Sequence, residues 1–217
     1  MEKIALVTGF EPYGGRHHNP SARLAEALHS ERIGAYRVAG RVLPVALEGL
    51  EARVEALLDE VRPSLVLALG LAPGEAMIRL ERVALNLADF GIADNAGARP
   101  LDRPLVAGSA VARAARLPLR AMEDALLAQG IPVRLSSSAG TYLCNAVLYL
   151  LLAALERRGQ PVPCGFIHLP YLPEQVAEML DAARAGRLDI GTRADVASMD
   201  YKVMERALRI VLEAAGG

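Results

Sequence analysis

The segment Ser136-Ser137-Ser138-Ala139-Gly140-Thr141-Tyr142-Leu143-Cys144-Asn145 separates two apolar runs of different character. Before it, Ile131 to Leu135 is β-branched and apolar, which predicts a strand. After it, Ala146 to Leu155 is almost wholly apolar and ends in Glu156-Arg157-Arg158-Gly159. That pattern predicts a buried helix with cations in its last turn and a Gly stop. The segment therefore reads as strand end, turn and helix start, the unit from which α/β folds are built. Cys144 falls in the first turn of the helix, where unpaired N–H groups and the helix dipole favour an anion. A thiol so placed is expected to lose its proton near neutral pH, and the thiolate is the nucleophile. A lone buried cysteine is more often a small apolar filler, so the rest of the chain has to decide.

Working outward, the same alternation recurs. Lys3 to Val7 predicts a buried strand, followed by the turn-rich loop Thr8-Gly9-Phe10-Glu11-Pro12-Tyr13-Gly14-Gly15. Asn19-Pro20-Ser21 opens a helix to about Ser30, with Asn as N-cap and Pro in the first position. Tyr36 to Val45 predicts a strand and Leu47 to Val61 an amphipathic helix. Leu65 to Leu69, stopped at Gly70, suits a central parallel strand. Met77 to Leu87 reads as one longer strand. Ala88 to Gly108 is irregular, and a loop of that length is usually functional or mobile. Pro118 to Gln129, Pro173 to Ala185 and Ala194 to Ala215 predict helices, and Gly165 to Leu169 a further buried strand. The expected architecture is a single domain over residues 1–217: an open α/β/α sandwich with a mainly parallel, twisted central sheet.

Composition narrows the function classes. The net charge is −1 and aromatic residues make up 4% with no Trp, so neither a nucleic-acid platform nor an anionic membrane surface is indicated. The longest apolar run is about half the length of a spanning helix. Two cysteines make no disulfide framework and suit a reduced, cytoplasmic protein.

A nucleophilic cysteine needs a base and a group to orient that base. Of the four histidines, His17 and His18 lie in a polar loop and His29 near a helix end. His168 instead interrupts the buried-strand run Gly165-Phe166-Ile167-His168-Leu169-Pro170, near the strand's carboxyl end, where α/β proteins gather ligands. A core histidine with one hydrogen bond is the competing reading. Cys164 lies four residues before His168, roughly 13 Å along a strand, too far to share a metal ion. Within Met77 to Leu87, where alternate residues face the same side, Glu81 shares its side with Arg79, Val83, Leu85 and Leu87. A carboxylate on such a face needs a partner; a structural ion pair with Arg79 competes with a role in catalysis. Asp94, Asp102 and Asp189 read as exposed loop acids.

Five segments, in order, carry a resemblance. They are Val7-Thr8-Gly9-Phe10-Glu11-Pro12-Tyr13-Gly14-Gly15 with Asn19-Pro20-Ser21; Glu81-Arg82-Val83-Ala84-Leu85-Asn86; Asp94-Asn95-Ala96-Gly97; Ala139-Gly140-Thr141-Tyr142-Leu143-Cys144-Asn145; and Gly165-Phe166-Ile167-His168-Leu169-Pro170-Tyr171. Over essentially its whole length the chain resembles the pyrrolidone-carboxylate peptidases (pyroglutamyl peptidase type I), a cysteine peptidase family. The resemblance implies Cys144 as nucleophile, His168 as general base and acid, and Glu81 as the group that orients His168. It implies hydrolysis of an N-terminal pyroglutamyl residue from peptides, with no metal or organic cofactor. It further implies a cytoplasmic homo-oligomer, dimer or tetramer, with no nucleic-acid or membrane partner. Substrate-binding positions are implied at Phe10, Tyr13, Asn19, Leu71, Tyr142 and Leu143, the aromatic ones holding the lactam.

Three departures qualify the resemblance. Gly91 stands where the family usually carries Arg, Tyr13 replaces a usual Phe, and Gly70-Leu71-Ala72-Pro73-Gly74-Glu75 replaces a segment that is commonly Gly-Gln-Ala-Gly-Gly-Arg. Lower activity than a member keeping the Arg is the expectation. The alternatives are a homologue that binds pyroglutamyl peptides with little turnover, a phosphate-using enzyme such as a nucleoside phosphorylase on a similar fold, and a purely structural role for Cys144 and His168.

Overall fold

The computed structural model describes residues 2–187 and 196–216. Nine strands and six helices occur in these residues: β1 (Lys3–Phe10), α1 (Pro20–Ala27), β2 (Arg32–Ile33), β3 (Tyr36–Leu43), α2 (Leu50–Val61), β4 (Leu65–Leu71), β5 (Ile78–Glu81), β6 (Val83–Leu85), β7 (Ala112–Ala114), α3 (Leu119–Ala128), β8 (Val133–Ser136), α4 (Leu143–Arg157), β9 (Cys164–Leu169), α5 (Pro173–Arg184) and α6 (Tyr201–Ala214).

Seven strands form one sheet in the order β2-β3-β1-β4-β9-β5-β8. β3, β1, β4 and β9 run parallel, as buried apolar runs joined by helices require. β5 runs antiparallel to β9 and parallel to β8, so the sheet is mainly parallel and mixed at both ends. Its two faces are buried separately. One core joins the sheet to α2 and α4 through residues such as Leu57, Val147 and Leu151. The other joins it to α1, α3 and α6 through Leu24, Met122 and Leu208. This is the expected α/β/α sandwich.

The run Met77 to Leu87 is not one strand. It breaks at exposed Arg82, and β6 leaves the main sheet to pair with β7. Arg82 N–H bonds to Ser136 O while Ala115 N–H bonds to Arg82 O, so the chain changes partners there. The alternation shifts with it, and Ala84, not Val83 or Leu85, is the buried residue of β6. Glu81 therefore does not share a continuous face with Val83, Leu85 and Leu87.

Helix boundaries also move. α1 ends before Ser30, whose φ of 66° closes the turn. α2 starts at Leu50 because Gly49, at φ 75°, sits just before it in a left-handed conformation. α6 starts at Tyr201, with the Asp200 carboxylate accepting from Lys202 N–H as N-cap. The predicted start at Ala194 lies outside the described residues, as does Asp189.

The long segment after β6 has little regular structure but is tied down. Asn86 Nδ2 donates to Val106 O, and its Oδ1 accepts from Val106 N–H. Ala88 bridges to Arg103, and Phe90 is fully buried. Asp94, expected to be exposed, is buried: its carboxylate accepts from Leu47, Ala96 and Ala98 N–H groups. A short loop acid that caps its own turn needs no solvent. Asp102 is exposed, as expected.

Candidate active site

The sheet's register assembles the site. In adjacent strands, residues directly opposite each other project to the same face. His168 on β9 is opposite Gly70 on β4 and Arg79 on β5; Phe166 is opposite Glu81. Gly70, Arg79, Glu81, Phe166 and His168 thus share one face, and it is the face on which α4 packs. Cys144, second residue of α4, meets that row at its open end.

The contacts there are close. An ideal Cβ on Gly70 would stand 2.7 Å from Cys144 Sγ and 2.7 Å from the Phe166 ring, so the thiol lies directly over the glycine. His168 Nδ1 is 2.7 Å from Glu81 Oε1. Both residues are buried, Glu81 completely. The Phe166 ring packs on the imidazole, with centroids 4.8 Å apart. Glu81 is also ion-paired: Arg79 Nη2 is 3.0 Å from the same Oε1. The two readings of Glu81, ion pair and imidazole partner, therefore hold together.

Cys144 and His168 line one cavity of about 450 Å³. Its other walls include Arg79, Pro73, Ser138, Gly140, Asp89 and Gly91. A second cavity of about 440 Å³, between the Gly14–His17 loop and α5, contains no cysteine. Beside Cys144 a narrow, mostly apolar slot is lined by Phe10, Tyr13, Asn19, Val45, Leu71, Tyr142, Leu143 and Cys144 itself. All six positions implied as substrate-binding lie in this slot; Val45 is an addition that sequence reading missed. It closes the predicted strand Tyr36 to Val45, two residues beyond the end of β3, and carries no polar side-chain atom to mark it.

Several polar residues of the quoted segments serve as clamps for these walls. Asn19 Oδ1 accepts from Ser21 N–H and Oγ–H, while its Nδ2 donates to Glu11 O. Glu11 Oε1 accepts from Val45 N–H and Asn95 Nδ2. Asn145, fully buried, donates to Leu85 O and Leu87 O and accepts from Leu85 N–H, fastening α4 to β6. Tyr142 stacks against Phe90, with centroids 4.5 Å apart, and its hydroxyl donates to Ala93 O.

The electrostatics correct one expectation. The Cys144 thiol is not acidified: burial, reinforced by the Glu81 charge, pushes its pKa up to about 12. Its own backbone N–H and Arg79 pull the other way without prevailing. Desolvation penalises the charged thiolate there. Burial likewise raises the Tyr142 phenol to about 12 and the Tyr13 phenol further, so both remain hydroxyl donors at neutral pH. At the start of α4 the N-cap, Tyr142, offers no side-chain acceptor to the first-turn N–H groups.

The remaining candidates stand apart. His18 faces Glu178 at 3.6 Å on the surface, and His29 Nδ1 accepts from Gly40 N–H. Cys164 is free and buried at the opposite end of β9 from His168. Among the described residues no three His, Cys, Asp or Glu side chains are grouped to hold a metal ion, and no helix is long and apolar enough to cross a membrane.

Against known proteins, residues 3–216 match the family model for pyroglutamyl peptidase. The chain belongs to the pyroglutamyl peptidase family. It is 40% identical over 210 residues to the pyrrolidone-carboxylate peptidase of Pyrococcus furiosus, covering 97% of this chain and 96% of the relative. It is 43% identical over 173 residues to that of Yersinia pestis (strain Pestoides F), covering 80% of each. The solved structure of the pyrrolidone carboxyl peptidase from Thermococcus litoralis superposes with a TM-score of 0.90 at 36% identity, covering 98% of this chain and 93% of that one. Membership makes this chain a cysteine-type hydrolase. A binding-only homologue is not the reading these likenesses favour.

Proposed function

We propose that Cys144, His168 and Glu81 form the catalytic triad of a pyroglutamyl peptidase acting on peptides that begin with pyroglutamate. The observation that carries this reading is geometric. His168 shares one cavity with Cys144 while its Nδ1 is held at 2.7 Å by Glu81 Oε1. That contact fixes the tautomer: Nδ1–H donates to the carboxylate, leaving Nε2 as the base.

A thiol with a pKa near 12 is almost wholly protonated at neutral pH. His168 Nε2 therefore takes the proton as Cys144 Sγ attacks the pyroglutamyl carbonyl. The S–C bond forms, and the carbonyl π electrons move to oxygen. First-turn N–H groups of α4 are placed to receive that oxyanion. The imidazolium, stabilised by Glu81, gives its proton to the leaving amine as the C–N bond breaks. Water, deprotonated by neutral His168, then cleaves the thioester and restores the thiol.

The lactam ring is uncharged, which suits the apolar lining supplied by Phe10, Tyr13, Leu71, Tyr142 and Leu143. Asn19 is occupied by Glu11 O, Ser21 N–H and the Ser21 hydroxyl, and acts by shaping the Phe10–Tyr13 loop. No cofactor enters the scheme. The family resemblance supports a cytoplasmic homo-oligomer, dimer or tetramer; sedimentation of the purified chain tests the assembly, and a monomer would contradict it. Release of a fluorophore from a pyroglutamyl amide, by the natural chain and by Cys144→Ser, tests the activity.

A further inference from the structure

Glu81 is a fully buried carboxylate, and its charge has to be balanced in every state of the reaction. When His168 is protonated the imidazolium balances it. When His168 is neutral, Arg79 is the one cation paired with Glu81 among the described residues. Arg79 is also held more firmly than a surface arginine. Its Nη2 donates to Ser136 Oγ at 2.8 Å and to Ser138 O at 3.2 Å. Its Nη1 donates to Glu75 Oε1 at 3.0 Å, and Arg134 holds that same oxygen at 2.8 Å. The guanidinium is thus clamped between Glu75 and Glu81 while reaching the wall of the catalytic cavity.

We propose that Arg79 is a positioning residue of the active site, fixing the Glu81 carboxylate so that His168 holds its Nδ1–H on Glu81 while its Nε2 serves Cys144. The assignment rests on the triad proposed above. Arg79 acts through Glu81 and lies outside the lactam slot. It also brings a positive charge to the cavity that Gly91 lines. Glu75, another departure from the resembled pattern, orients that cation. The charge has a second consequence: Arg79 eases ionisation of the Cys144 thiol, which Glu81 opposes.

Removing Arg79 takes away a positive charge that eases loss of the Cys144 proton, so ionisation of the thiol moves to higher pH. The other titratable groups lining the cavity are Asp89, Tyr13 and Tyr142, with Glu75 bound to Arg79 and Arg134 bound to Glu75. None of these changes in the variants below.

The test compares the natural chain with Arg79→Gln and Arg79→Lys. Two quantities are measured: the pH dependence of Cys144 alkylation by iodoacetamide, followed by mass spectrometry, and kcat and KM for a pyroglutamyl amide. Arg79→Gln is expected to move the alkylation profile up by roughly one pH unit. It is expected to lower kcat by about 10–100-fold, as loss of an orienting partner does, with KM within about threefold. Arg79→Lys keeps the charge but loses the fork. Its profile should stay with the natural chain while kcat falls between the two. A natural profile and natural kcat in Arg79→Gln would overturn the proposal. If Arg79→Gln does not fold, a natural kcat in Arg79→Lys overturns it instead. Absence of amide turnover by the natural chain, with the alkylation shift still present, would sink the peptidase reading and leave the positioning role standing.

Discussion

Cys144 Sγ lies directly over Gly70, 2.7 Å from the point a Cβ would occupy. Any side chain at residue 70 would displace the thiol or the Phe166 ring. Gly70→Ala is therefore expected to lower kcat by about 10-fold or more and to cost about 1–3 kcal/mol by overpacking. Paired steady-state kinetics and thermal unfolding check this. A variant of natural activity would mean that the site tolerates a moved thiol.

Glu81 and His168 should behave as one unit. Glu81→Gln keeps shape and burial but loses the charge, and its amide can turn to present N–H to the imidazole. By analogy with the same change in serine hydrolases, kcat should fall by about 10³–10⁴-fold with the fold intact. A loss in KM alone would place Glu81 in substrate binding.

The high thiol pKa makes Cys144 dependent on its base. A group with pKa near 12 gains reactivity only as pH approaches that value. In His168→Gln, alkylation of Cys144 should be nearly absent at neutral pH and should rise steeply only above about pH 10. Equal alkylation rates at pH 7 with and without His168 would show that the helix start alone ionises the thiol.

Asn145 is predicted to matter for stability more than chemistry. Asn145→Ala leaves Leu85 N–H and two carbonyls without their partner. The cost should be about 3 kcal/mol, or a fall in Tm of roughly 6–12 °C for a chain of this size. A shift within the error of calorimetry would contradict the clamp.

The helix start at Cys144 and the strand end at His168 were readable because period and composition change sharply there. Parallel strands such as β4 showed as short apolar runs. Non-local pairing was not readable. The run Met77 to Leu87 keeps a β-like composition through Arg82, yet β6 pairs with β7, about thirty residues on. β2 and β7 are too short to leave a pattern. The burial of Asp94 depends on three N–H groups, two within its own turn and one from Leu47. The three residues of the proposed triad were legible as residue types out of place; the thiol's pKa was not, because desolvation depends on the packed cavity. Arg79 was visible as a competitor for Glu81, whereas only the structure places one guanidinium and one imidazole on the same carboxylate oxygen.

The most direct measurement is fluorophore release from a pyroglutamyl amide by the natural chain and by Cys144→Ser, with circular dichroism of both. The account predicts steady turnover by the natural chain and a loss of at least about 10³-fold in the folded variant. Turnover that survives in Cys144→Ser, or its absence from the folded natural chain, would contradict it.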